Sequence, residues 1–95
     1  MTERQYYALC TIQSLLGVIS ANFRFVSVAV DSGKVFIRIV LRNEDDDDLE
    51  EIEDFKTEFE ALLSEQIDYV VSVEVSDRPL AWPDENSIVV FKQRE

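Results

Sequence analysis

The chain has no histidine, one cysteine, two glycines, two prolines and one tryptophan in 95 residues. Each scarcity removes a class of chemistry. Without imidazole there is no histidine-based catalytic triad and no histidine-ligated zinc site. A lone Cys10 forms no intrachain disulfide and no cysteine-rich metal centre, and an unpaired thiol fits a reducing compartment. With only Gly17 and Gly33, no glycine-rich phosphate loop can be built. No apolar run approaches the roughly 18 residues that span a bilayer, and the opening residues MTERQYY carry no signal-peptide pattern. Bases are scarce as well, nine against 20 acids, for a formal charge of -11. That balance argues against direct binding to nucleic acid or to an anionic membrane, both of which demand a basic face.

What is present is an ordinary globular complement, with 46% apolar residues, far too many for a disordered acidic tail. A chain of this length makes one domain, residues 1–95. It buries roughly 65% of the surface its unfolded form exposes, enough for one small core.

The acidity is local. Nine of the eleven residues from Glu44 to Asp54 (EDDDDLEEIED) are acidic, whereas the other 84 residues hold eleven acids against all nine bases. One segment therefore carries most of the net charge.

Periodicity predicts a helix from Thr2 to Leu16 whose buried stripe is Ala8, Ile12, Leu15, Leu16 and Ile19, with Leu9 beside it and Gly17 as terminator. Phe23 to Val30 reads as an inner strand. Val26, Val28 and Val30 face one way, and Phe23, Phe25 and Ala29 the other. Asp31-Ser32-Gly33-Lys34 is a turn returning into a second strand, Val35 to Arg42, to make a hairpin. Asp47 and Glu50 have capping-box spacing at the start of a second helix that runs to about Gln66. Its apolar stripe is Leu49, Ile52, Phe55, Phe59, Leu62 and Leu63. Tyr69 to Ser76 and Ser87 to Lys92 alternate as strands, separated by a loop containing Pro79 and Pro83. The order α-β-β-α-β-β predicts an α+β two-layer sandwich, a four-stranded, mainly antiparallel sheet with both helices on one face.

The acidic run has two readings. Acids in a first turn complement the helix macrodipole, which accounts for Asp47, Asp48, Glu50 and Glu51 as a solvated face. It does not account for Asp54 and Glu58, which extend a row from Glu50 at i, i+4, where like charges cost about 0.2–0.5 kcal/mol per pair. Lys56 is the helix's only base. That row favours a surface meant for a basic partner. An EF-hand register fails, because starting at Asp47 places Leu49 and Ile52 at positions three and six. Paired carboxylates acting as acid and base need a cleft that two layers of 95 residues hardly provide, and Cys10 has no histidine to activate it. Catalytic residues, cofactors and metals are therefore not expected. In the proline-flanked loop, Arg78, Leu80 and Trp82 offer either an interface anchor or, for Trp82, a lid on the core. Tyr6 and Tyr7 pose the same choice, since neighbours on a helix point about 100° apart.

Four features in order, SLLG (Ser14 to Gly17), ANFR with Asn22 and Arg24 entering a valine-rich strand, the acidic second helix, and VVFKQRE (Val89 to Glu95), give the chain a likeness. Together they resemble the small immunity proteins encoded beside bacterial toxins of contact-dependent growth inhibition and related polymorphic toxin systems. The resemblance covers most of the chain through short motifs with no chemical signature. It implies a non-catalytic, cytoplasmic antitoxin that binds a cognate toxin, often a nuclease; stoichiometric occlusion, with the inhibitor a monomer when bound to toxin, is the mode of action expected. Individual contacts do not follow from the resemblance. The residue types assign an electrostatic field to Asp45, Asp46, Asp47, Glu50, Asp54 and Glu58, and an anchor to Trp82 or Tyr7, against a toxin with a basic surface. The alternatives are a nucleic-acid mimic that blocks a defence enzyme, and an interaction subunit whose acidity only maintains solubility.

Overall fold

The computed structural model describes residues 1–80 and 86–94. The first helix, α1 (Glu3–Leu15), starts from a reciprocal cap. Thr2 Oγ1 accepts from the Gln5 amide at 3.2 Å, and Gln5 Oε1 accepts from the Thr2 amide at 2.9 Å. Gly17, at φ +83°, turns the chain away as its lack of a Cβ permits. The face α1 buries differs from the expected stripe. Tyr7, Ala8, Cys10, Thr11, Ser14 and Leu15 face inward, whereas Leu9, Ile12, Leu16 and Ile19 remain exposed. Thr11 and Ser14 tolerate burial because their hydroxyls donate back to the carbonyls of Tyr7 (2.8 Å) and Cys10 (2.7 Å).

Strands β1 (Phe23–Asp31) and β2 (Lys34–Leu41) form the expected hairpin. Ser32 and Gly33 both have positive φ, 52° and 78°, the signature of a two-residue type I′ turn whose twist suits the strands. A bulge between Phe23 and Phe25 corrects the assignment of these two rings to one face. The extra residue sends Phe23 into the main core with Val26 and Val28, while Phe25 lies opposite Val40 on the other side of the sheet.

The second helix, α2 (Asp46–Leu62), has its cap two residues before the expected one. Asp45 is the N-cap, its carboxylate accepting from the amides of Asp47 (2.9 Å) and Asp48 (3.2 Å). The helix ends at Leu62 rather than near Gln66, so the end of its stripe weakens. Ile52, Phe55 and Phe59 are fully inside, Leu49 and Leu63 half-buried, and Leu62 exposed. Each fully buried side chain contributes about 1.5–3 kcal/mol.

Strands β3 (Asp68–Val75) and β4 (Ser87–Lys92) complete a sheet of order β3-β2-β1-β4. The sheet is mixed. β1 pairs antiparallel with β2 and β4, and β2 pairs parallel with β3 from Lys34↔Asp68 to Leu41↔Val75. The parallel pair follows from topology, since α2 is the crossover that returns the chain to the same end of the sheet. The last two strands therefore occupy opposite edges. A single core joins Tyr7, Cys10 and Leu15 of α1 and Ile52, Phe55 and Phe59 of α2 to the inward side chains of β1 and β2. The two-layer α+β arrangement stands, with both helices on one face.

Candidate functional site

Nine of the seventeen residues of α2 are acidic, and the fold gives them different jobs. Asp48 turns inward, 5% exposed, and accepts from Asn22 Nδ2 at 2.9 Å. Asn22 also clasps the segment leading into α2. Its Nδ2 donates to the Asn43 carbonyl at 2.6 Å and its Oδ1 accepts from the Asn43 amide at 2.9 Å. Glu53 is paired with Lys56 at 3.0 Å. Glu60 accepts a hydrogen bond from the Tyr69 hydroxyl. Burial first, and then this bond and the Glu60 charge, push the Tyr69 phenol up to about 12.

The remaining acids point to water. Asp46 and Asp47 flank the helix start, where exposed amides and the macrodipole favour negative charge. Glu50, Asp54 and Glu58 continue one exposed row along successive turns. Among the described residues no base pairs with any of the three. Lys56, the base on this helix, is committed to Glu53. Two bases elsewhere, Arg38 and Arg24, are engaged with the sheet. The Arg38 guanidinium grips Glu74 at 2.7 and 3.0 Å, holding that carboxyl below its usual range, and lies 5.6 Å from the Phe25 ring centre. Arg24, 1% exposed, donates to the carbonyls of Ser76 (2.7 Å) and Arg78 (2.8 Å). The outer face of α2 is thus a concentrated negative surface on a rigid helix.

Of the residues assigned to a partner from sequence, Asp46, Asp47, Glu50, Asp54 and Glu58 share this exposed helix, and Asp45 adjoins it as the cap. Tyr7 lies elsewhere. Its ring is in the core, 6% exposed and edge-on to Tyr6 at 5.1 Å, so it is a packing residue in this structure. Tyr6 is half-buried. Its hydroxyl accepts from the Ser64 amide at 3.1 Å and so ties α1 to the chain after α2. Trp82 lies outside the described residues. Sequence reasoning missed the supports of the site, Asn22 and Asp48, and also the buried Arg24, which holds the segment after β3 and not the acidic helix. Two of them stood in the ANFR motif, and a polar residue on each side of a core phenylalanine was the available signal.

Among the described residues no group of three or more Asp, Glu, Cys or His is arranged to hold a metal ion, and no helix is long and apolar enough to cross a membrane. The model of the MafI2 immunity protein family matches residues 4–95. The chain belongs to that family. No curated protein matches it. The resemblance seen in the short motifs is therefore real across almost the whole chain, and membership supplies what the motifs lacked, a function. A MafI2 immunity protein confers immunity by binding a cognate toxin. Membership points to an inhibitor with no catalysis of its own.

Proposed function

We propose that this immunity protein neutralises its toxin by stoichiometric occlusion, with the outer face of α2 laid against a basic surface of the toxin. The observation that carries this reading is the row Glu50, Asp54 and Glu58, exposed and without a base partner among the described residues. Repulsion along such a row costs about 0.2–0.5 kcal/mol per i, i+4 pair, a cost a solvated face could avoid with lysines. A partner that supplies the missing positive charge converts that cost into attraction. Nuclease clefts hold phosphates and are basic for that reason, so the toxin class that fits is a nuclease of a contact-dependent growth inhibition or related polymorphic system. A carboxylate surface entering such a cleft accelerates encounter and excludes RNA or DNA. The site of action on this reading is the cytoplasm, where incoming toxin meets its substrate.

Co-expression with the toxin domain encoded beside it tests the reading. The expected result is copurification at one-to-one stoichiometry, rescue of growth, and loss of toxin activity in proportion to inhibitor added. A complex that forms while the toxin remains fully active on its substrate would sink occlusion. Binding to a restriction or CRISPR effector in place of the toxin would support the nucleic-acid mimic, although a mimic spreads its charge more evenly than one segment of eleven residues.

A further inference from the structure

Strand β3 ends the sheet, and its outer side is unprotected. Among the described residues no strand pairs with that side. The N–H and C=O groups of every second residue therefore face outward without a ladder partner. Natural sheets blunt such an edge with a short strand, a bulge, a lysine or a proline. The opposite edge does so. β4 is shorter, shifts register against β1 between Val26 and Ser27, and ends in Lys92. β3 runs through eight residues, DYVVSVEV, paired with β2 without a shift and holding no lysine or proline. The chain leaving β3 turns away from this edge. The Ser76 amide donates to the Leu41 carbonyl at 2.9 Å, and Arg24 holds the carbonyls of Ser76 and Arg78. Both faces of the edge carry exposed apolar surface. Val73 and Val75 are 37% and 51% exposed although their partners in β2, Ile39 and Leu41, are fully buried. On the other face Val70 and its neighbour Phe36 are both exposed.

We infer that the toxin adds an extended segment bearing lysine or arginine to the free edge of β3, as a further strand of the sheet. The inference rests on the reading that the partner is a basic toxin, and it adds a backbone contact beside the α2 face. The unpaired ladder calls for an extended chain, and charge selects which one. α2 borders this edge, since the Tyr69 ring of β3 packs on Phe59 at 5.2 Å and its hydroxyl donates to Glu60. A second copy of this chain pairing here would be related by a two-fold axis normal to the sheet. That axis sets two α2 helices, each with nine acids, on the same face and across the seam from one another. Centred on Val71, it also places Asp68 opposite Glu74 at both ends, and like charges directly opposite destabilise a ladder. Self-pairing is opposed for these reasons. A basic strand instead meets the exposed Asp68 and the carboxylates of α2, and its alternate side chains cover Val73 and Val75.

Residue-resolved amide hydrogen exchange on the full chain, free and in its copurified complex with the toxin domain encoded beside it, tests the inference. Alternate amides of β3 should exchange at least about 10-fold more slowly in the complex. Alternation is the signature of an added strand, because side-chain contacts alone do not select every second amide. Val73→Lys/Val75→Lys sets like charge against a basic strand at two exposed positions, so the variant should stay folded and bind the toxin at least about 10-fold more weakly. A complex in which β3 exchanges at its free rate, or a folded variant with the parent's affinity, overturns the inference and leaves the α2 reading in place. Alternate protection of β3 together with toxin binding that is indifferent to Asp54→Lys/Glu58→Lys supports the edge contact and removes the α2 face. Failure of any complex to form overturns both.

Discussion

Asn22 and Asp48 lie 26 positions apart and meet through a 2.9 Å hydrogen bond that fastens the first turn of the acidic helix to the entrance of β1. Asp48 is the one acid of α2 whose side chain is buried, so this bond sets where the other carboxylates project. With its two bonds to Asn43, Asn22 holds the β2–α2 connection as well. Replacing it with alanine strands a buried carboxylate and two backbone groups. We expect Asn22→Ala to cost about 2–3 kcal/mol in urea unfolding, and Asp48→Ala less, about 1–2 kcal/mol, because it leaves only a rotatable amide behind. Equal losses, or none, would show that water replaces the clamp.

Arg24 should behave as a structural arginine. Its guanidinium is enclosed and donates to two carbonyls just beyond β3, joining the central strand to the segment that leaves the far edge of the sheet. Arg24→Met keeps most of the volume and removes the donors. The expected loss is about 2–3 kcal/mol, with faster hydrogen exchange around Ser76 to Arg78. Toxin affinity of the folded variant should remain within about threefold of the parent, since this side chain is distant in role from the acidic face.

Tyr69 predicts an alkaline limb of stability. Its phenol titrates at about 12 in the folded protein against 10.0 for the unreacted reference. A folded pKa above the unfolded one means that the contribution is complete below pH 10 and is lost as pH rises toward 12. Tyrosinate absorbance should show one residue titrating near 12, and Tyr69→Phe should abolish that step and flatten the fall of the urea midpoint between pH 10 and 12. Because Tyr7 is also raised, chiefly by burial, the comparison with Tyr69→Phe is what assigns the step.

The fold was largely legible because its signals are local. The helix and strand periodicities, the Ser32-Gly33 turn and the terminator Gly17 all act through neighbours in sequence, and all six elements occur in the expected order, with α2 starting earlier and ending about four residues sooner than its periodicity suggests. The failures have a common physical cause, namely that they depend on tertiary choices. α1 has two apolar faces, and periodicity alone cannot say which one the sheet selects. The structure chooses the face with Thr11 and Ser14, whose small side chains bond to their own helix. The bulge that separates Phe23 from Phe25 is invisible to a count of two. For the candidate site, the exposed row on α2 was readable from i, i+4 spacing. Tyr7 was not, since which of two adjacent tyrosines enters the core depends on how the helix is rotated.

The central claim is that the carboxylate row on α2 meets a basic toxin surface. Its most direct test is the association rate constant for the toxin domain, measured by stopped flow at about 20 and 500 mM salt for the parent and for Asp54→Lys/Glu58→Lys. Both positions are exposed, so folding stability should be unchanged or slightly improved as like-charge repulsion is relieved. The account predicts that the parent rate falls at least 10-fold with salt, and that the reversed variant associates at least 10-fold more slowly at low salt with a much shallower salt dependence. Equal rate constants for parent and variant at both salt concentrations would contradict it and reduce the acidic helix to a solvated face.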